Sequence, residues 1–372
     1  MSSQIKNTSF WRAFPLIDFI NSEWRVWQEE RTKPCYRLAA MPHNALELLP
    51  YPIDMRPLLT LPFGALDEAG VPYNASSKKY PAAYHPTTIA QYALAHWNTY
   101  LETGDEKNKQ AFIVQARWLV ENETSSNSDV GGWPFPFSVP DFFAQAPWLS
   151  ALTQGNAISV LVRAFQLTAE DAFLEVARRA VRTFELDIFD GGVSAHIGDG
   201  DIFFEEVAVY PAAHILNGYL LALFGLYDYV AFTKDAQINE LIQSSLITLH
   251  KLIDRFDTGY WSRYDLLFGY LASHFYHTLH VTLLEALAQY SGCEHCATLA
   301  KRWAAYQQSF RGRLYYFIFS RVNRYRRQLR RFGVRGVLFH ILGARKQATP
   351  HVHAPITSST THPGSIDRKV NK

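Results

Sequence analysis

The stretch Trp133-Pro134-Phe135-Pro136-Phe137 decides how this chain is read. It runs on through Pro140 and Pro147-Trp148 to Leu152-Thr153-Gln154-Gly155-Asn156-Ala157-Ile158-Ser159-Val160-Leu161-Val162-Arg163-Ala164-Phe165. Pro134, Pro136, Pro140 and Pro147 each fix φ and lack an amide donor, so they forbid a regular helix before about residue 148. After Gly155 the apolar residues fall at helical spacing. A long, rigid, aromatic loop therefore delivers the chain into a helix. Aromatic faces beside fixed polar groups suit a sugar ring, with its apolar C–H faces and hydroxyl edges. The same features also describe a proline-rich core loop.

On either side of this stretch the chain has the rhythm of helical hairpins. Pro86-Thr87-Thr88 opens a helix with Ile89, Tyr92, Ala93, His96 and Trp97 on one face. A second covers roughly 108–120. The next pair starts near Gly155 and Glu170, the second of them striped by Phe173, Val176, Ala177, Ala180, Val181 and Phe184. Further pairs start near Ala212 and Ala236, and near Phe275 and Cys296. Helix pairs recurring about every 60 residues stack as a solenoid or close into a toroid. The loops 129–154, 191–211 and 257–274, and His85, each precede the first helix of a pair. They are expected to gather at one end, beside the positive ends of the inner helices, where an anionic ligand is favoured.

Composition bounds the rest. The 372 residues are 48% hydrophobic and 15% aromatic, enough for a sizeable core. The net charge is +2, but no Asp or Glu occurs from His295 through Ile366 while Lys and Arg recur, so the basic balance belongs to the C-terminal part. Cys293-Glu294-His295-Cys296 is a lone C-x-x-C, read here as reduced thiols at a helix start; no metal or cofactor is expected. The N-terminus lacks a charged-then-apolar signal pattern, and Ile215–Ala231 reads as a buried helix. A cytoplasmic location is the default.

Four domain-scale segments are expected. Residues 1–83 form an irregular or β-hairpin arm, anchored by Trp11, Phe14, Phe19, Trp24 and Trp27, and residues 84–310 the helical body. Residues 311–346 make a basic amphipathic extension, and 347–372 a disordered tail. The extension interleaves Arg311, Arg313, Arg321 and Arg324 with Leu314, Tyr315, Phe317 and Ile318. It suits an anionic membrane surface or a polyanion, and no motif supports nucleic acid.

Side-chain types single out candidates inside the loops. In the extended segment around Glu205-Glu206 neighbouring side chains alternate, so one carboxylate is expected to be functional and the other solvated or salt-bridged. Asn217 sits in an apolar helix. Tyr264 and Tyr276 are either core phenols or acid–base groups. Tyrosine is a useful base only when a cation or donor lowers its pKa from about 10, and Arg263 adjoins Tyr264. His277 and His280 share a helix face, and by spacing alone are buried, hydrogen-bonded histidines.

Taken in order, these stretches resemble the C-terminal catalytic domain of the D-glucuronyl C5-epimerases. The resemblance covers roughly residues 52–310. It rests on Leu66-Asp67 with Gly70-Val71-Pro72, Tyr84-His85-Pro86, Trp133-Pro134, Gln154-Gly155, Glu205-Glu206, Leu216-Asn217-Gly218, Gly225-Leu226-Tyr227-Asp228, Tyr264-Asp265-Leu266, Tyr276-His277-Thr278 and Arg302-Trp303. It implies a mainly α fold, an (α/α) toroid of helical hairpins, acting on C5 of glucuronate in a heparosan-like polysaccharide. It carries catalytic duty onto Glu206, Tyr264 and Tyr276. A third family tyrosine falls at Val207, with Tyr210 the nearest phenol, and a family arginine falls at Leu267. Tyr84, His85, Trp133, Gln154, Glu205, Asn217, Arg263, His277 and His280 become expected sugar contacts. The expected partners are the anionic polysaccharide, a homodimer, and an inner-membrane surface or polysaccharide-synthesis machinery at 311–346. The alternatives are a uronan lyase, which begins with the same proton abstraction, and a non-catalytic glycan-binding or assembly protein on this fold.

Overall fold

The structure is a computed structural model. It describes residues 34–39, 48–60, 65–74, 82–125, 129–198 and 200–343, together with Arg25, Gln28, Glu29 and Thr32. The expected anchors Trp11, Phe14, Phe19, Trp24 and Trp27, and the tail 347–372, lie outside the described residues. The chain divides into two units, 1–323 and 324–372.

The first unit is mainly α, an (α/α) toroid built from successive antiparallel hairpins. These are α1 (Pro86–Thr103) with α2 (Glu106–Glu121), α3 (Ala151–Thr168) with α4 (Asp171–Arg182), α5 (Leu216–Thr233) with α6 (Ala236–Leu252), and α7 (His274–Ser291) with α8 (Glu294–Gln308). Local chemistry sets their ends. Pro86 occupies the first turn of α1, and Gly104, in the left-handed region at φ 68°, ends it. Ser150 caps α3 by accepting from the Thr153 amide, and Ser273 caps α7 by accepting from Tyr276. Because Ser150 is a competent cap, α3 begins at Ala151, ahead of the Gly155 expected from apolar spacing.

Inner and outer helices differ as their sequences require. The outer helix α4 buries only the stripe Phe173, Val176, Ala177, Ala180 and Val181. The inner helices α3 and α5 are buried along most of their length. They cross at glycine: a Cβ on Gly155 would lie 2.6 Å from Ala222 Cα, and one on Gly225 would lie 2.2 Å from the Gly155 carbonyl oxygen. Only glycine permits this backbone approach.

Adjacent inner helices pack in the order α1, α3, α5, α7, and the N-terminal arm links the last to the first. Its paired strands β1 (Arg37–Leu38) and β2 (Ile53–Asp54) lie on α7, and the 3-10 turn Arg56–Leu59 lies on α1. The arm is held through its main chain. Thr282 Oγ1 donates to the Tyr36 carbonyl (3.2 Å), Trp97 Nε1 to that of Leu49 (3.0 Å), and Arg163 Nη2 to that of Pro50 (2.6 Å). Arg163 and Asp228 form a fully buried ion pair at 2.5 Å, with Ser159 also donating to Asp228 at 2.6 Å.

The loops carry short antiparallel strands. These are β3 (Ala65–Leu66), β4 (Pro72–Asn74) and β5 (Ala83–Tyr84) in one sheet, β6 (Thr124–Ser125) with β7 (Gly131–Gly132), and β8 (Ser194–Ile197) with β9 (Asp201–Phe204). Helix α9 (Phe310–Gly343) contains a break at Gly333. Within the first unit, its Tyr316 stacks on Trp261 at 4.3 Å and Tyr315 meets Tyr260 edge-on at 5.3 Å. Part of the expected amphipathic face is thus spent on packing. Among the described residues, no helix is long and apolar enough to cross a membrane.

Candidate active site

The N-terminal ends of the inner helices meet at one end of the toroid. Thr87 and Thr153, in the first turns of α1 and α3, share a 2.6 Å hydrogen bond. Main-chain bonds then tie the loops together: Ala151 N–H donates to the Glu205 carbonyl (2.9 Å), Ala208 N–H to that of Leu149 (3.0 Å), and Leu216 N–H to that of Tyr264 (3.3 Å). Loops distant in sequence therefore become one surface over the helix N-termini.

On this surface Glu206, Tyr264 and Tyr276 come together, each partly accessible. Tyr264 donates its hydroxyl to Glu206 Oε1 at 3.2 Å, and Asn217 Nδ2 donates to Glu206 Oε2 at 2.8 Å. The rings of Tyr264 and Tyr276 lie 4.8 Å apart. Gly218 makes room for the carboxylate, since a Cβ there would stand 2.3 Å from Glu206 Cβ.

Burial raises the Glu206 carboxyl from 4.5 to about 7, against the lowering effect of its hydrogen bonds from Tyr264 and Asn217; the nearby Glu205 charge raises it further. Burial, with the Glu206 charge beside it, pushes the Tyr276 phenol up to about 12 and Tyr264 well above its ordinary value. Both phenols are therefore protonated near neutrality, and Glu206 is the group of the three that changes charge there.

An apolar wall adjoins the cluster. Phe135 stacks on Trp148 at 4.3 Å, His85 meets Phe135 edge-on at 4.8 Å, and Phe142 approaches Tyr264 at 6.4 Å. His85 is the N-cap of α1, and burial lowers it to about 4, so it is neutral. Val207, where the resemblance places a tyrosine, is 5% exposed and packs among Phe135, Ala213 and Ile215 in this wall.

Several expected roles are corrected by this placement. Tyr210 stacks on Phe189 at 4.1 Å and donates to Asp187 at 3.4 Å, so its phenol is committed outside the cluster and does not replace the missing tyrosine. Trp133 is buried and donates Nε1–H to the Leu119 carbonyl at 2.9 Å. Gln154 is buried too; its amide donates to Gly131 and Thr183 and accepts from the Trp133 amide. These two hold the loop rather than a sugar.

His277 and His280 are also fully buried. His277 Nδ1 accepts from the Ser262 amide (3.0 Å) and its Nε2 donates to the Trp303 carbonyl (3.1 Å), while Ser262 Oγ bridges to His280 Nδ1 (2.9 Å). Burial lowers His277 to about 3 and His280 well below its usual value. Spacing alone indicated this interior role; the resemblance suggested a sugar contact.

Glu205 turns inward, as alternation requires, and its carboxylate accepts from both the amide and Nδ1 of His214. Arg263 donates to the Gly269 carbonyl at 3.2 Å, and Tyr84 to Asp67 at 2.7 Å. His214 and Ser262 were not singled out in the sequence. The inward carboxylate of Glu205 needs a partner, which His214 supplies from a left-handed backbone at φ 51°.

Comparisons with known proteins bear on this geometry. The family described as D-glucuronyl C5-epimerase C-terminus matches residues 126–305, which hold Glu206, Tyr264 and Tyr276. A D-glucuronyl C5-epimerase of Caenorhabditis elegans is 33% identical over 223 residues. Residues 126–305 are thus similar to the C-terminal part of the D-glucuronyl C5-epimerases. The worm match takes in 54% of this chain and 35% of that protein. A second relative, an uncharacterised protein of Methanocaldococcus jannaschii, is 25% identical over 174 residues, 46% of this chain and 56% of that protein. The chain thus spans well under two thirds of the curated relatives it matches. Among solved structures, a sugar epimerase from a ruminal bacterium aligns over 61% of this chain and 60% of its own, with a TM-score of 0.46 and 12% identity.

Proposed function

We propose that the protein inverts C5 of glucuronate residues in a heparosan-like polysaccharide. The observation that carries the reading is the hydrogen-bonded set Glu206–Tyr264 with Tyr276 beside it, at the helix N-termini and within the stretch that matches the epimerase family. The C5 proton is weakly acidic. Removing it requires a base on one face, an acid on the other, and something to stabilise the charge that builds on the carboxylate.

The Glu206 carboxylate, ionised in part near neutrality, takes the Tyr264 hydroxyl proton as the Tyr264 oxygen takes the C5 proton. The C–H electron pair moves into the carboxylate as an enediolate. The Tyr276 hydroxyl then returns a proton to the opposite face of C5. Solvent resets the three groups, so turnover carries solvent hydrogen into C5. The N-termini of α5 and α7 offer positive charge to the enediolate in place of the arginine that Leu267 replaces. With Val207 apolar, acid–base duty rests on Tyr264 and Tyr276. His85 and the Phe135–Trp148 wall stand beside the cluster and suit a sugar's C–H face.

Solvent-deuterium exchange tests the assignment. Tyr276→Phe is expected to abolish incorporation at uronate C5 with the circular dichroism spectrum intact; unchanged exchange would sink it. An absorbing unsaturated uronate product would instead mark a lyase.

The basic extension is proposed to hold an anionic phospholipid surface. Along α9, Phe310, Leu314, Ile318 and Val322 are exposed at intervals of one helical turn, among arginines. Sedimentation with vesicles containing phosphatidylglycerol tests this. Leu314→Asp with Ile318→Asp is expected to weaken binding relative to neutral vesicles, and equal binding by both proteins would overturn it.

A further inference from the structure

Cys293 and Cys296 take no part in that chemistry. They flank the start of α8, at the far end of α7 from Tyr276; a helix rise of ~1.5 Å per residue puts them roughly 22 Å away. Cys293 is the N-cap of α8, and its sulfur accepts from the Cys296 amide at 3.0 Å. A helix N-terminus favours a thiolate there. The two sulfurs are joined as a disulfide, where the sequence suggested reduced thiols.

The fold adds a residue that the motif does not contain. His250, in the last turn of α6, is exposed and places Nε2 3.1 Å from Cys293 Sγ. The His250 nitrogen and both cysteine sulfurs lie within 4.8 Å of one another. A tetrahedral site with ~2.3 Å metal–sulfur and ~2.0 Å metal–nitrogen bonds has edges of roughly 3.5–3.8 Å, which this spacing accommodates once the sulfurs part. His250 and Cys293 line a groove that also contains Gln243, Ser291, Glu294 and His295, and Cys296 lies buried behind Cys293. The His295 ring lies 6.2 Å from that of His250, within reach of a fourth position.

We propose that His250, Cys293 and Cys296, once the disulfide is reduced, bind one thiophilic divalent cation of the zinc class. A dithiol reductant gives two electrons and two protons to the disulfide and is itself oxidised to a disulfide, leaving two thiols. The cation displaces both thiol protons and takes two thiolate bonds and the neutral imidazole. Two sulfurs and an imidazole select zinc over magnesium or calcium, which take oxygen ligands. The ion ties the end of α6 to the α7–α8 turn, next to the ion pairs that His295 and Arg302 make with Asp254. Its role is structural, remote from Glu206, Tyr264 and Tyr276.

Cobalt titration tests the site. The full chain, without added affinity histidines, is reduced anaerobically and titrated with Co2+, then Zn2+. One equivalent of Co2+ should produce tetrahedral visible bands and a thiolate-to-cobalt charge-transfer band, both bleached by Zn2+. Cys293→Ser and Cys296→Ser should remove the charge-transfer band. His250→Gln, a change at an exposed position, should weaken binding at least tenfold, and Cys35→Ser should retain it. The diamide-oxidised protein should show no band. Absence of the band in the reduced wild-type chain, or its survival in Cys293→Ser, overturns the proposal. The histidines of the C-terminal tail cannot give a thiolate band, so they do not confuse the readout.

Discussion

Replacing Glu206 by glutamine should make the protein more stable at alkaline pH while disabling it. In the folded chain burial holds the carboxyl up at about 7, against 4.5 as its ordinary value. A raised carboxyl pKa means that the folded state keeps a proton the unfolded state has released. Its stabilising contribution is complete below about pH 4.5 and is lost as pH rises through about 7. At ~1.4 kcal/mol per pH unit, the loss across that window is roughly 3 kcal/mol. Glutamine stays neutral and keeps an amide oxygen for the Tyr264 hydroxyl. Its NH2 cannot accept from Asn217, which offsets part of the gain. Urea unfolding of both proteins from pH 4 to 9 reads the difference. The wild-type stability should fall relative to the variant between about pH 4.5 and 7 and then run parallel to it. Parallel curves over the whole range would refute the buried, proton-holding carboxyl. In the wild type, C5 exchange should rise with pH through the same region, because the carboxylate is the form that draws the Tyr264 proton.

Two further predictions concern the scaffold. Arg163→Met leaves Asp228 buried without its cation and should cost about 3–5 kcal/mol in urea unfolding; a loss under 1 kcal/mol would mean that the pair does not anchor the arm. Gly155→Ala drives a Cβ to 2.6 Å from the Ala222 backbone and should cost about 1–3 kcal/mol by separating α3 from α5. A fully stable variant would contradict that contact.

Sequence showed the helices because each leaves a local trace. The stripe from Phe173 to Phe184 and Pro86 at the start of α1 each lie within a few residues of what they specify. The closure of the ring left no such trace. The arm is held through the carbonyls of Tyr36, Leu49 and Pro50, and a carbonyl looks the same in every residue. The site was legible where chemistry and position coincide. Glu206 and Tyr264 are 58 residues apart, and the ordered motifs, not their spacing, named them as a pair. The misread residues share one property: Trp133, Gln154, His277 and His280 carry groups that bind sugars, and here the first three satisfy buried main chain while His280 meets the buried Ser262 hydroxyl. In the same way the lone C-x-x-C gave no hint of His250, which is 43 residues from Cys293 and meets it only because α6 and α8 are neighbours.

The central claim is that Glu206, Tyr264 and Tyr276 exchange the proton at uronate C5. Its most direct measurement is incubation of the full chain with heparosan in D2O, with deuterium at C5 and iduronate followed by NMR, beside Tyr276→Phe and Glu206→Gln controls. The account predicts deuterium and iduronate with the wild type and neither with the controls. No incorporation by a folded wild-type chain between pH 6 and 9, or equal incorporation by Tyr276→Phe, would contradict it.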